Sequence, residues 1–158
     1  MKIATKLSRV IVETTARGVL AAVGHDLRID APISEGDVVD DACIAGFRVA
    51  EMRVAEMRRH GTKAWGAPTS DAKDIERRIR EEAFAGVKEI TVEATRETIT
   101  VRAARTESVK TDARITANRI EGTCELSLAA LGVGKIRVPL GAIKLDDAVA
   151  VTYVIVLE

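Results

Sequence analysis

The chain has 158 residues, of which 47% are hydrophobic and 30% are charged, so it can bury one apolar core and does not have the composition of a disordered protein. Lysine plus arginine and aspartate plus glutamate both total 24, which leaves no net charge to attract a nucleic acid or an anionic membrane surface. We therefore expect residues 1–158 to form a single domain that does not bind nucleic acid.

Alternation of apolar and polar residues with a period of two runs through most of the chain and predicts strands more often than helices. The first predicted strand covers residues 6–14. A short apolar stretch at 17–24 is interpreted as a helical turn, and a second strand is predicted at 27–31. The segment 30–41 contains five acidic residues and no basic one, which is typical of a solvated turn.

The middle of the chain begins with a long apolar segment, 42–55, which predicts one strand. Gly46 lies inside this segment and predicts a bulge or a bend. Residues 58–69 have no sustained period and contain glycine and proline among basic residues, so we interpret them as a loop. Trp65, in that loop, is predicted to pack over an edge of the sheet, and His60 is predicted to face solvent.

One amphipathic helix is predicted at 71–84. Ser70 is a favourable N-cap, and Gly86 stands just beyond the C-terminal end. The apolar positions recur at spacings of three and four, which places them on one face of the helix. We expect this face to lie on the sheet; it comprises Ala72, Ile75, Ile79 and Ala83.

Six more strands are predicted after the helix, at 88–95, 97–104, 109–117, 119–128, 136–144 and 149–157. Short connections between several of them favour antiparallel neighbours. A sheet of eight or nine antiparallel strands leaves two exposed edges unless it closes. The predicted fold is therefore all-β: an antiparallel barrel of about eight strands with one inserted α-helix.

The histidines do not predict a catalytic site. His25 is followed by Asp26, but adjacent residues on a strand point to opposite faces, so this pair cannot form the oriented dyad of a hydrolase. We interpret His25 as structural. The chain is predicted not to be an enzyme.

No metal or cofactor is predicted. Two histidines and two cysteines are spread over about a hundred residues, without the spacing typical of metal ligands. We expect Cys43 and Cys124 to behave as small hydrophobic residues and not to form a disulfide. Gly132 and Gly134 superficially resemble a phosphate-binding loop. A predicted strand follows them where such a loop requires a helix, so we interpret them as a bend.

The apolar alternation permits either a filled barrel or a barrel with a ligand cavity, and the residue types leave both open. Only 3% of residues are aromatic. A cavity would therefore be lined by aliphatic side chains, which suit a flexible aliphatic ligand better than a flat ring.

Several stretches together resemble the YceI-like family of lipid-binding, lipocalin-like barrels. Residues 18–27, which read GVLAAVGHDL, resemble the early apolar segment of the family that ends in a histidine. The helix at 75–84 follows the early strands, as it does in that family. Residues 131–133 and 139–147, followed by a valine-rich last strand, resemble its closing pattern.

The resemblance implies a barrel with a packed helix, whose interior holds a long isoprenoid or fatty-acyl chain, and no enzymatic activity. It also implies a possible homodimer. The ligand-binding residues that we expect from it are apolar residues near the mouth and the interior, namely Val19, Leu20, Val23, Phe47, Val49 and Leu131.

The main prediction is thus a protein that binds or sequesters a hydrophobic small molecule. The alternative is a filled barrel that serves as a protein-interaction module and has no lipid ligand. Because no signal peptide and no apolar run of bilayer length is visible, we expect no membrane span and a cytoplasmic location.

Overall fold

The computed structural model describes residues 1–17, 24–134 and 144–158. The predicted helical turn at 17–24 and the predicted strand at 136–144 lie almost wholly outside these ranges. The strands of the described residues are β1 (Arg9–Thr14), β2 (Ala16–Arg17), β3 (His25–Asp30), β4 (Ile33–Val39), β5 (Ala42–Arg48), β6 (Arg53–Arg59), β7 (Glu89–Ala94), β8 (Thr98–Arg102), β9 (Thr106–Lys110), β10 (Asp112–Ile115), β11 (Arg119–Ser127), β12 (Lys144–Leu145) and β13 (Ala148–Val156).

The strands form two large antiparallel sheets. The six-stranded sheet has the order β10-β11-β13-β1-β3-β6, and the five-stranded sheet has the order β4-β5-β7-β8-β9. A small third sheet pairs β12 with β2. The prediction of an all-β, antiparallel architecture with one helix is confirmed. Within the described ranges no strand ladder joins the two large sheets, so barrel closure stays a prediction.

Two stretches of chain pass directly from one large sheet to the other. Only Ala31 and Pro32 separate β3 from β4, and only Thr111 separates β9 from β10. Proline has no amide hydrogen to donate to a ladder, which suits it to such a corner. At the other corner, the Thr111 and Tyr153 hydroxyls hydrogen-bond to each other. The two sheets are therefore linked at both corners by continuous chain.

The predicted solvated turn at 30–41 is wrong for most of its length, because β4 occupies it. Acidic side chains on β4 face outward, while Ile33 is buried and Val38 packs against the core. Strand β4 pairs with β5 from Ile33↔Phe47 to Val39↔Ala42. The turn is confined to residues 40–41, where Asp40 has a φ of 53°. The acids thus belong to the solvent face of a strand.

Two predicted strands are each divided in the structure. The segment predicted as one strand at 42–55 contains β5 and the start of β6, which lie in different sheets and are separated by a 3-10 helix at Val49–Glu51. Gly46 lies within β5, opposite a bulge in β4. The segment predicted at 109–117 contains the end of β9 and all of β10, again in different sheets. Apolar periodicity persists across such corners because both halves face one core.

The predicted helix at 71–84 is confirmed as α1 (Ala72–Arg78), which continues into a π-helical turn at Ile79–Ala83. Glu76 fixes it to the sheet, because its carboxylate accepts a 3.0 Å hydrogen bond from the Val54 N–H of β6. On its exposed face, Arg77 and Arg78 pair with Asp74 and lower the pKa of that carboxyl. No helix within the described residues is long and apolar enough to cross a bilayer.

Candidate ligand cavity

A cavity of about 330 Å³ lies between the two large sheets. This volume falls at the lower end of the range of about 300–1,000 Å³ that is typical of small-molecule sites. Its walls are mostly aliphatic. The lining residues on the two sheets and the adjoining loop include Val12, Thr14, Ala45, Phe47, Val92, Val101, Cys124, Leu126, Leu131, Val149 and Val151.

Strand register explains how the six-stranded sheet forms one wall. Val12 pairs with Val151, and Val151 pairs with Cys124, so three inward side chains from β1, β13 and β11 lie at one level. The next inward level contains Val149 and Leu126. Because side chains alternate along a strand, every second residue of these strands faces the cavity.

The five-stranded sheet forms the opposite wall by the same rule. Ala45 pairs with Val92, and Val92 pairs with Val101. Ala45 is the smallest of the three, and its short side chain leaves room in the middle of this wall. Its neighbour Ile44 points to the other face of the sheet and is 39% exposed.

Both cysteines are free and line the cavity. Burial raises the pKa of the Cys43 thiol. Burial, together with the negative charge of Glu107, raises the pKa of the Cys124 thiol to about 11. Such thiols are protonated at neutral pH and react slowly. The prediction that the two cysteines are small hydrophobic residues is confirmed.

One end of the cavity is covered by the helical segment and by the loop after β11. Ile79, Ala83 and Leu131 contribute to the lining there. The Gly134 N–H donates a 2.9 Å hydrogen bond to the Ala83 carbonyl, which fixes the loop to the helix. Gly132 and Gly134 have φ values of +69° and +93°, so the predicted bend is confirmed.

The other end carries the charged part of the lining together with Thr95, and we call these residues the polar rim: Asp40, Asp41, Thr95 and Arg96. These residues belong to the β4–β5 and β7–β8 turns. Ile115 of β10 also lines this end of the cavity and is 45% exposed. The charged groups of the lining are therefore confined to one end, beside an exposed apolar side chain.

The residues predicted to bind ligand fall into three groups. Phe47 and Leu131 lie on the cavity wall. Val49 is buried in the core, 2% exposed, but is not on the wall. The remaining three, Val19, Leu20 and Val23, lie outside the described residues. Sequence reasoning missed most of the wall residues, although the period-two pattern that places them inward was visible.

Among the described residues of the wall, Thr14 is a polar side chain that is nearly completely buried, at 4% exposure. Its Oγ1 is inaccessible to solvent and has no hydrogen-bond partner among the described residues. Buried hydroxyl groups in folded proteins nearly always have a partner. This oxygen is therefore an exception that requires an explanation.

A second polar group lies outside the cavity and is centred on Asp26, which is 1% exposed. Its carboxylate accepts 2.9 Å hydrogen bonds from the Ala16 N–H and from Nε of Arg58, and its Oδ1 lies 3.0 Å from Nδ1 of His60. We call Asp26, Arg58 and His60 the Asp26 cluster. His60 is partly exposed, with 36% of its side chain accessible, but its ring also contacts this carboxylate, which the sequence did not predict.

Burial alone would raise the pKa of Asp26. The hydrogen bonds from Ala16, His60 and Arg58 outweigh that effect and lower the pKa of this carboxyl below its ordinary value. The cluster also fixes the chain on both sides of residues 18–23, since the His60 N–H donates to the Gly24 carbonyl. Gly24 follows these residues in the chain, and Ala16, whose N–H donates to Asp26, precedes them.

Trp65 covers the same outer face. Two guanidinium groups lie over its ring, with Cζ of Arg28 4.2 Å and Cζ of Arg58 4.3 Å from the ring centre. Arg28 in turn contacts Glu13 and Glu56 on the neighbouring strands. Trp65 thus packs over β6, the edge strand of the six-stranded sheet, as predicted.

The described residues contain no group of three or more histidine, cysteine, aspartate or glutamate side chains that could hold a metal ion. The His60–Asp26 contact resembles half of a hydrolytic triad. No serine, threonine or cysteine hydroxyl or thiol is bonded to His60 within the described part of the chain. The contact therefore has the geometry of a structural polar cluster.

No protein-family model and no curated protein matches the sequence. The structure, in contrast, is similar to the crystal structure of BcnA from Burkholderia cenocepacia. The TM-score is 0.59, the sequence identity is 10%, and the match covers 99% of this chain and 99% of that chain. At this identity the similarity shows a common fold and extends over the full length of both chains.

Proposed function

We propose that this protein binds a hydrophobic chain in its cavity, without catalysing a reaction on it. The observation that carries the proposal is the cavity itself, whose walls on both sheets are aliphatic. An apolar ligand chain gains about 0.8 kcal/mol for each methylene group that it transfers from water to such a wall. The polar rim at one end would leave a polar part of the ligand in contact with water.

The volume of the cavity limits the size of the ligand. In the liquid, one water-sized group occupies about 30 Å³, so a cavity of about 330 Å³ accommodates on the order of ten heavy atoms. This favours a single acyl chain or a short isoprenoid over several chains. A longer chain would have to extend past the polar rim into solvent.

The strand pairings support the proposal that the interior is enclosed as a barrel. They form one circuit. The circuit begins in the six-stranded sheet, where β1 pairs with β3, and β3 continues along the chain as β4 of the other sheet. There the pairings run from β4 through β5, β7 and β8 to β9, which continues as β10. In the six-stranded sheet, β10 pairs with β11, β11 with β13, and β13 with β1. Counting each continued pair as one strand gives eight. We propose that these eight strands are the lipocalin-like barrel that the sequence predicts.

The resemblance to the YceI-like family adds a second, independent support, and the full-length fold similarity to BcnA is compatible with it. Membership in that family remains a prediction, as do the homodimer and the cytoplasmic location. The alternative of a filled interaction module receives less support, because a void of this size is rare in a core packed to ordinary density.

The proposal can be tested by releasing the ligand from the purified protein. Protein prepared without organic solvent is denatured, extracted and examined by mass spectrometry, and the same protein is delipidated and titrated with fatty alcohols and short isoprenols. We expect an aliphatic compound at near one equivalent, or saturable binding at one site. Protein that releases nothing and binds none of these compounds would refute the proposal.

A further inference from the structure

The unpartnered hydroxyl of Thr14 points to the chemistry of the ligand. Its residue lies on the cavity wall, its oxygen is completely buried, and none of the described groups hydrogen-bonds to it. An unsatisfied buried hydroxyl weakens a folded protein, whereas a valine of nearly equal shape would not. A threonine at this position therefore suggests a partner that is bound only when the cavity is occupied.

Strand register places this hydroxyl far from the polar rim. Glu13 pairs with Ala150, so Thr14 lies beside Val149, which pairs with Leu126. Ile155, which pairs with Ile120 at the level next to Ile115, is six residues farther along β13. At about 3.4 Å per residue, these two levels are about 20 Å apart.

We propose that Thr14 hydrogen-bonds a neutral polar group of the ligand, and that the ligand is an aliphatic chain carrying a hydroxyl or carbonyl group at this inner end. This inference rests on the proposed function, because it requires a ligand in the cavity. Thr14 lies on the wall but its Oγ1 is buried, so the proposal includes a change of χ1 rotamer that turns the hydroxyl toward the ligand.

The described side chains beside Thr14 on the cavity wall favour a neutral group. Val149 and Leu126 flank Thr14 on the wall, and neither can compensate a charge. Transferring a carboxylate or an ammonium from water to such surroundings is far more costly than transferring a hydroxyl. The charged residues of the lining, Asp40, Asp41 and Arg96, all lie at the opposite end.

The test compares 1-octanol with octane, which differ in one hydroxyl, for binding to delipidated wild-type protein and to Thr14→Val. Affinities are measured by displacement of a fluorescent fatty-chain probe. In Thr14→Val we expect binding of 1-octanol to weaken about three- to tenfold, since one hydrogen bond is lost, and binding of octane to change less than about twofold. The matched control is Thr152→Val, on the exposed face of β13, which should change neither.

The melting temperature of the empty protein gives a second measurement. Thr14→Val removes an unsatisfied hydroxyl, so the empty variant should melt at or above the wild-type temperature. Equal effects on 1-octanol and octane, or no effect on either, would overturn the inference while leaving the proposed function in place. If neither compound nor the probe binds wild-type protein, the proposed function fails, and the inference fails with it.

Discussion

The two faces of the six-stranded sheet are built from different interactions. On the inner face, aliphatic side chains such as Val12 and Val151 line the cavity. On the outer face, the Asp26 cluster and the Trp65 stack connect β2, β3, β6 and the loop after β6 through hydrogen bonds and ring contacts. The inner face is thus mainly aliphatic, whereas the outer face is held by hydrogen bonds and ring contacts.

This difference suggests a division of roles. Side chains on a cavity wall make fewer dispersion contacts with other protein groups than side chains in a filled core. The outer face instead joins its strands by hydrogen bonds and ring contacts. Substitutions inside should therefore change binding, and substitutions outside should change stability.

The largest effect is expected from filling the cavity with Ala45→Phe. The added ring would exclude roughly three to four methylene groups of a ligand, which at about 0.8 kcal/mol each weakens binding about a hundredfold. The control is Ile44→Phe, on the same strand but facing outward, which should bind normally. Probe titration measures both, and circular dichroism verifies that both are folded. A folded Ala45→Phe variant with wild-type affinity would contradict the account.

The next effect is a loss of stability in Asp26→Asn. An amide cannot accept all three hydrogen bonds with the strength of a carboxylate, and Arg58 loses its counter-charge, so the free energy of unfolding should fall by about 2–4 kcal/mol. Urea denaturation measures this change. Asp30→Asn is the matched control, since Asp30 lies on the same face of β3 and no described residue bonds its carboxylate; its stability should be nearly unchanged.

Lowering the pH should reduce the contribution that the Asp26 carboxylate makes to the free energy of unfolding. The pKa of Asp26 is lower in the folded protein than the value of about 3.9 expected for the unfolded chain. Its stabilising contribution is therefore complete above about pH 5 and is lost progressively as the pH falls through the unfolded value and then the lower folded value. The difference in unfolding free energy between wild type and Asp26→Asn should shrink from pH 7 to pH 3. A difference that grows in acid would contradict this sign.

The smallest effect is expected at Trp65. Each of its two contacts with a guanidinium group is worth about 0.5–1 kcal/mol, so Trp65→Leu should lower the free energy of unfolding by about 1–2 kcal/mol. Trp65→Phe keeps an aromatic ring and should lose less. Thermal unfolding followed by circular dichroism compares the two. Equal losses would mean that ring electrostatics is not the cause.

The fold class could be predicted from the sequence because period-two alternation survives wherever a strand faces the core. Helix α1 could be predicted as well, since its apolar stripe and terminating glycine are local signals. The predicted N-cap at Ser70 is wrong, because the helix is preceded by Asp71 and has no side-chain cap hydrogen bond. Strand β4 was missed because its acids on the outer face obscured the inward alternation of Ile33 and Val38. Corners such as Thr111 were missed because a strand that changes sheet keeps its inward pattern.

The site was less predictable, for a physical reason. Whether an inward residue lines a void or fills a core depends on the volumes of side chains from both sheets, as with the small Ala45 opposite larger neighbours. The contact of His60 with Asp26 joins residues 34 positions apart and has no local signature. The orphan hydroxyl of Thr14 likewise becomes visible only when its surroundings are known.

The central claim, that the aliphatic interior receives the ligand, is tested most directly by methyl NMR of isoleucine, leucine and valine labelled protein titrated with 1-octanol. We predict saturable shifts and ligand contacts at the inward methyl groups of Val12, Val92 and Val151. The outward methyl groups of Val39 and Ile44, on the exposed side of the five-stranded sheet, should not change. Ligand contacts confined to Val39 and Ile44, with the inward methyl groups unaffected at saturation, would contradict the account.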